Sequence, residues 1–370
     1  MYALKILVAQ PQRAVLTCLG VALCVILMLF LLAVYRGAAH GSLEYVRSSD
    51  ADLWVLQRHA ANILRSTSLL GERHGEAIRK IEGVESAAPV LFLLGGIERG
   101  TPSAPRLATT YFTGYDVATG RGGPPSLAAG RNPASDSEIV LDRSFAAKQG
   151  FRVGDRLVVK GETLSVVGLS AGTNMFVIQY AFVTLNRARL LAGMPEMVSA
   201  YQVRVKPGVE PKAVRTAIRR QLPDVAVYDR ETFLANNAQE MKSGILPLLY
   251  VVAIIGAVVL TAILSLILSV NVLERRKELA VMKALGAPAG FIPGVVVVQA
   301  FCLAGAGTAL GTTVFFPLVR LVEKLAPEIT AQAAPVHIGI VVAGAVAVSL
   351  LSSLVPIQRL RRIYPLEVFR

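Results

Sequence analysis

Asn271-Val-Leu-Glu-Arg-Arg-Lys-Glu-Leu-Ala-Val-Met-Lys-Ala-Leu-Gly-Ala287 is a polar interruption between two long apolar segments. Arg275, Arg276, Lys277 and Lys283 outnumber Glu274 and Glu278 within it, and short loops rich in Lys and Arg stay on the cytoplasmic side of a membrane. That assignment fixes the side of every other segment. Leu279, Met282 and Leu285 recur at helical spacing, and Gly286 followed by Pro288 marks a stop, so the stretch is expected to form a short helix.

The apolar segments on either side set the class. The 370 residues are 54% hydrophobic with a mean hydropathy of +0.55, and the apolar residues are clustered rather than spread, which marks an integral membrane protein. A net charge of +13 would suit a polyanionic partner. However, Lys5, Arg13, the basic residues of the interruption, and Arg359, Arg361, Arg362 and Arg370 all flank apolar runs. Positive-inside bias accounts for them, so membrane lipid is the expected partner and nucleic acid is not.

Working outward, residues 245–270 precede the interruption at 271–288, and 289–319 and 336–357 follow it, with a short, charge-balanced outer loop at 320–335 between them. Residues 15–35 form a further run behind an interfacial segment at 1–14. About 20 apolar residues cross a bilayer, so four transmembrane helices are expected. Both termini, including the basic tail 358–370, are then expected in the cytoplasm, and the protein is expected to be multi-pass. A cleaved signal peptide is the competing reading of the opening, since basic residues precede an apolar run there too; the run is long for a signal core and no small-residue cleavage site follows it. Gly305, Gly307 and Gly311 would allow close helix packing in the third span. Apart from Asn271 near the end of the second, the spans are read as carrying no charged or amide residue that would mark a polar path. Cys18, Cys24 and Cys302 all fall in apolar runs, so a disulfide in the polar region is not expected.

Residues 36–244 form one large polar region, outside the cytoplasm by this topology. Asp52–Gln57 reads as a strand, residues 72–81 as a helix and Val84–Ile97 as a strand; Ala200–Lys206, Pro211–Gln221 and Val225–Tyr228 repeat that order. The two pieces, 36–119 and 198–244, are read as halves of one α+β subdomain. Between them, 120–197 is a β-rich insertion, entered through Gly/Pro-rich stretches, with a strand at 137–142, a short helix at 144–149 and a hairpin of 154–161 with 163–169. The polar stretch 232–242 is either a helix running straight into the second span, as a stalk, or a loop that ends at the membrane. Trp54, the single tryptophan, is read as a core anchor rather than a substrate contact.

Catalytic patterns are missing. His40, His59, His74 and His337 are scattered, and neither H-E-x-x-H nor G-x-S-x-G occurs. No G-x-x-x-x-G-K-[ST] phosphate loop occurs either, so no catalytic, cofactor or metal site is expected in this chain, and a membrane-anchored enzyme is the least supported class.

Three places together resemble the permease subunits of ABC transporters of the FtsX, MacB and LolC type. They are Arg13-Ala-Val-Leu-Thr17 with Leu19-Gly20; Arg275-Arg-Lys-Glu-Leu-Ala-Val-Met-Lys-Ala-Leu-Gly-Ala287; and Pro356 through Arg362 with Pro365-Leu-Glu-Val368. The resemblance covers the whole layout and implies that the external region is porter-like with a β-rich insertion. It further implies that Glu278, Leu279, Ala280, Met282, Lys283, Ala284, Leu285 and Gly286 form a coupling helix that docks on an ATPase subunit. ATP and Mg would be bound by that separate subunit, unlike MacB itself, whose nucleotide-binding domain is fused. A solvated turn with inward-facing charge is the plainer account of the same residues.

The resemblance gives two expectations of function. In the first, ATP hydrolysis by the partner drives movement of the periplasmic domain for export or extraction of a lipophilic substrate, lipid or lipoprotein. A second permease copy or a paralogue would complete the complex, and the DevC-like subgroup implies a periplasmic membrane-fusion adaptor and an outer-membrane channel. In the second, as in FtsX proper, the chain is a non-transporting mechanotransmitter that activates a cell-wall hydrolase. The extent of 36–244 favours the first.

Overall fold

The computed structural model describes residues 11–63, 66–99, 106–174, 178–288, 290–326, 331 and 334–361. Most of the expected interfacial segment, part of the outer loop and the end of the tail lie outside the described residues. The chain divides into a helical unit and a unit built on Gly37–Ile245, and each is taken by itself.

Helix α1 spans Pro11–Ser48, so it does not end with the apolar run at Tyr35. Residues 38–45 include Ala38, Ala39, Leu43 and Glu44, all good helix formers. Tyr45 and Val46 are buried, and Ser48 Oγ donates to the Glu44 carbonyl at 2.7 Å and so closes the last turn.

The second unit continues with β1 (Leu53–Gln57), β2 (Leu70–Gly71), α2 (Glu72–Arg79), β3 (Val84–Arg99) and β4 (Arg106–Tyr115). Next come β5 (Ser126–Gly130), β6 (Glu138–Asp142), α3 (Arg143–Gln149), β7 (Arg156–Val159), β8 (Glu162–Ala171), β9 (Tyr180–Thr184) and α4 (Leu185–Ala192). It closes with β10 (Met197–Val198), β11 (Ala200–Val205), α5 (Pro211–Gln221) and β12 (Val225–Asp229). The main sheet runs β12-β1-β11-β3-β4-β9-β6-β8-β5, with β7 pairing to β3 and β8.

In the first four strands every pairing is antiparallel. Strands β1 and β3 are therefore parallel to one another with β11 between them, so β1–α2–β3 and β11–α5–β12 interleave as two split βαβ units, a ferredoxin-like arrangement. The two pieces read from the sequence thus build one sheet. The β-rich part starts earlier than residue 120, because β3 and β4 form a long hairpin from Val90↔Tyr115 to Arg99↔Arg106, and β4 then pairs in parallel with β9. The expected hairpin is β7–β8; Lys160 and Gly161 at its turn have φ of 50° and 78°, the signature of a two-residue type I′ turn.

Strand β1 shows how the layers meet. Leu53 and Val55 join a core with Ile78, Val203, Val214 and Ile218, under α2 and α5. Trp54 and Leu56 point the other way, into an aromatic core with Tyr45, Tyr180, Phe182 and Phe233. A separate core fills the β-rich part, around Phe112, Leu141, Phe145, Leu164 and Val183.

The helical unit is completed by α6 (Arg230–Glu274), which starts in the other unit, and by α7 (Arg276–Ala284), α8 (Phe291–Leu325) and α9 (Pro335–Arg361). Four helices, α1, α6, α8 and α9, are long and apolar enough to cross a membrane. Helix α6 is unbroken through Pro247, so 232–242 is helical and continuous with the second span. Leu260, Leu264, Leu268 and Val272 form its inward stripe, packed with Val21, Val25 and Leu303. Leu248, Val251, Ile255 and Val258 stay exposed, as expected where the surrounding solvent is lipid. Gly307 and Gly311 admit α1: a Cβ on Gly307 would stand 2.5 Å from Val21 Cβ, and one on Gly311 would stand 2.7 Å from the Ala22 carbonyl oxygen. Gly305 takes no part, since nothing lies within 4 Å of its added Cβ.

Candidate functional site

The polar interruption folds as a jointed, capped helix. The Arg275 N–H reaches the Asn271 carbonyl at 3.3 Å and the Leu279 N–H reaches the Arg275 carbonyl at 3.0 Å, so helical bonding persists on both sides of the break between α6 and α7. At the far end the Ala287 N–H donates to the Met282 carbonyl at 3.1 Å and Gly286 has φ +89°. That is a Schellman cap, in which a residue with a Cβ is strained at the glycine position.

Helix α7 has two unlike faces. Leu279 and Ala280, expected on a docking surface, are instead 6% and 1% exposed and belong to the apolar core shared with α1, α6 and α8. They anchor the helix. Met282 is half-buried, whereas Glu278, Val281, Leu285 and Gly286 face outward, and Leu285 is 83% exposed. The side chains of Lys283 and Ala284 lie outside the described residues. Around the joint, Arg275 approaches Glu278 at 3.4 Å, and Arg13 of α1 donates to Glu274 at 2.6 Å.

Two serines of the helical unit bond locally. Ser349 and Ser352 donate to the carbonyls of Ala345 and Val348 at 2.7 and 2.6 Å, which satisfies a hydroxyl within its own helix. Gln299, 3% exposed in α8, is a buried amide in the third span that the sequence reading did not single out; a lone polar residue in an apolar run was the available signal.

In the second unit the chemistry-bearing side chains serve structure. Trp54 is fully buried and stacks on Phe233 with ring centroids 4.6 Å apart. His74 lies between two acceptors, Asp224 at 2.9 Å and the Gly71 carbonyl at 3.1 Å, and the bond from His74 holds the Asp224 carboxyl below its ordinary range. Asp142 caps α3, accepting from the Ser144 and Phe145 N–H groups at 2.8 and 3.2 Å and from Thr173 Oγ1 at 2.7 Å; burial raises its pKa against those bonds. Arg131 grips both oxygens of Glu138 at 2.8 and 2.5 Å and pulls that carboxyl down to about 2. Among the described residues, no group of three or more His, Cys, Asp or Glu is arranged to hold a metal ion.

Among the described residues, four helices apolar enough to cross a membrane, a capped helix between the second and third, and a split α+β domain between the first and second in chain order are the layout of a multi-pass membrane protein with one large domain between spans. Family models agree in both halves: the MacB-like periplasmic core domain matches residues 14–221, and the FtsX-like permease C-terminal domain matches residues 250–365. The chain belongs to the FtsX/MacB-type family of ABC transporter permeases. An uncharacterized ABC transporter permease of Mycobacterium tuberculosis is 24% identical over 371 residues, covering 99% of this chain and 98% of its own. An uncharacterized ABC transporter permease of Methanocaldococcus jannaschii is 21% identical over 352 residues, covering 88% and 84%. The crystal structure of the periplasmic region of MacB from Actinobacillus actinomycetemcomitans covers 50% of this chain and 92% of its own, at 13% identity and a TM-score of 0.39. The chain is thus a multi-pass membrane protein, and its family implies an ATPase partner.

Proposed function

We propose that a separate ATPase subunit docks on the outward face of α7, and that its hydrolysis cycle drives movement of the periplasmic domain to export or extract a lipophilic substrate, a lipid or a lipoprotein. In this reading α7 and both termini are cytoplasmic and the membrane is a bacterial inner membrane. The observation that carries it is the division of α7: Leu279 and Ala280 are fixed in the apolar core while Leu285 is 83% exposed at a capped helix end. Val281, four residues before it on the same helix, is 42% exposed, so the two offer a contiguous apolar face of the kind that marks a protein partner's site. A displacement of α7 would pass through the Arg275 joint into α6, a single helix from Glu274 back to Arg230. The absence of Asp, Glu, Lys and Arg from the apolar runs of the spans supports a lipophilic substrate over a polar one. Because ABC ATPases work as dimers, a second copy or a paralogue would supply the other coupling helix, and a membrane-fusion adaptor with an outer-membrane channel would extend the path.

The test is purification of the chain from its native membrane in mild detergent with mass spectrometry of what accompanies it. An ATPase together with an adaptor is the expected result. An ATPase with a cell-wall hydrolase would replace transport by mechanotransmission, and loss of any ATPase under conditions that keep a known permease complex intact would overturn the docking assignment.

A further inference from the structure

Arg13 and Glu274 are opposite charges on different helices. Glu274 is the last residue of α6, whose final turn holds no basic residue, and Arg13 of α1 is the cation that reaches it. Helix C-termini favour positive charge, so Glu274 opposes the dipole of its own helix. Yet the two meet across helices at 2.6 Å. Their side chains are 47% and 38% exposed, and pairs exposed to that degree contribute little to stability. Positive-inside bias accounts for Arg13 but not for an acidic residue among basic neighbours, and the contact accounts for why Glu274 faces Arg13.

We propose that the Arg13–Glu274 pair is a positioning latch that ties the root of α1 to the joint between α6 and α7, so that displacement of the coupling helix moves both helices that enter the external domain. The inference rests on the docking role of α7 proposed above. Glu274 is the residue immediately before the Arg275 joint, and Leu279 and Ala280 just beyond it share one apolar core with Ala14, Cys18 and Val21 of α1. The ion pair fixes direction where that apolar contact alone would let the helices slide, since burial of apolar surface is non-directional.

The latch makes a prediction that helix electrostatics alone reverses. Glu274→Arg places a dipole-favoured charge at a helix end, yet it and Arg13→Glu each set like charges against each other across the joint. In lipid nanodiscs containing the chain and its cognate ATPase subunit, each single exchange is expected to lower ATP turnover about five- to tenfold, the scale of a typical coupling energy, with the ATPase subunit retained. The double exchange, Arg13→Glu with Glu274→Arg, restores the pair in reverse and is expected to return turnover to within about twofold of wild type, with an unfolding temperature no lower than wild type. Single variants at wild-type turnover, or a double variant no better than the singles, overturn the latch while Leu285→Asp still disrupts the complex. If Leu285→Asp also leaves both retention and turnover unchanged, the docking reading falls and takes the latch with it.

Discussion

Truncating Leu285 to alanine separates docking from folding. The side chain is 83% exposed, so its removal opens no cavity, and the unfolding free energy of the chain is expected to stay within about 0.5 kcal/mol of wild type. Docking would bury nearly all of it. Full burial of a leucine contributes about 1.5–3 kcal/mol, and alanine keeps only the Cβ, so about 2 kcal/mol of binding should be lost, or about thirtyfold in Kd. Leu279→Ala is the counterpart: that side chain is 6% exposed inside the helical core, and its truncation should cost about 2–5 kcal/mol of stability. The assay is titration of the ATPase subunit onto nanodisc-embedded chain, alongside thermal unfolding of the same samples. Unchanged affinity for Leu285→Ala, with turnover unaffected, would refute the assignment of the outward face as the docking surface.

Three further outcomes can be checked by unfolding measurements on the purified chain. Gly307→Val sets a Cβ 2.5 Å from Val21 Cβ and 2.9 Å from the Cys18 carbonyl oxygen, an overpacking worth about 1–3 kcal/mol of destabilisation; Gly305→Ala, with nothing within 4 Å, should be neutral or mildly stabilising, and equal effects would contradict the α1–α8 packing. Trp54→Ala removes a fully buried ring stacked on Phe233 and should cost about 3–5 kcal/mol, seen as a lower unfolding temperature. Glu138 has a folded pKa of about 2 against an ordinary 4.5, so its bond to Arg131 stabilises the domain above pH 4.5 and that contribution is lost as pH falls toward 2. Glu138→Gln should therefore be less stable than wild type at neutral pH, and the gap should close over that acid window; a gap independent of pH would show that the pair is not its source.

Much of this architecture is local and therefore readable from the chain. Pro211–Gln221 is helical over the span its pattern marks, because Pro211 opens it and Val214 and Ile218, four apart, are its buried contacts. The stop at Gly286 is equally local. Strand β9, by contrast, is buried at every position, so it has no alternation to betray it; β4 is defined by partners at both edges, one of them some 70 positions away in the chain, as in Tyr111↔Tyr180. The interleaving of β1, β3, β11 and β12 likewise depends on pairings between distant segments, which periodicity does not encode.

The docking helix shows the same limit on a smaller scale. Leu279, Met282 and Leu285 look like one apolar stripe, but steps of three at about 100° per residue drift backward around the helix. Leu285 ends well away from Leu279, and the Schellman turn carries it further out. Spacing identifies the helix; only packing separates the anchor from the exposed residue.

The aromatic core of the second unit supplies the receiving end of the proposed coupling. Tyr45 comes from α1 and Phe233 from α6, the two helices that lead from this unit into spans, and Trp54 of β1 contacts both: edge-on to Tyr45 with centroids 6.4 Å apart and stacked on Phe233 at 4.6 Å. The Tyr45 hydroxyl also donates to the Gly122 carbonyl at 2.8 Å, which holds the ring from its far end. Protein interiors are close-packed and deform little, so neither helix can shift against the other without moving the Trp54 ring or breaking its contacts. Strand β1 lies between β11 and β12, and any displacement of Trp54 is delivered to the middle of the split βαβ sheet rather than to its edge. Under the proposed coupling, such a domain would respond to the difference between two helix positions, the quantity that a latch between the far ends of the same two helices would control.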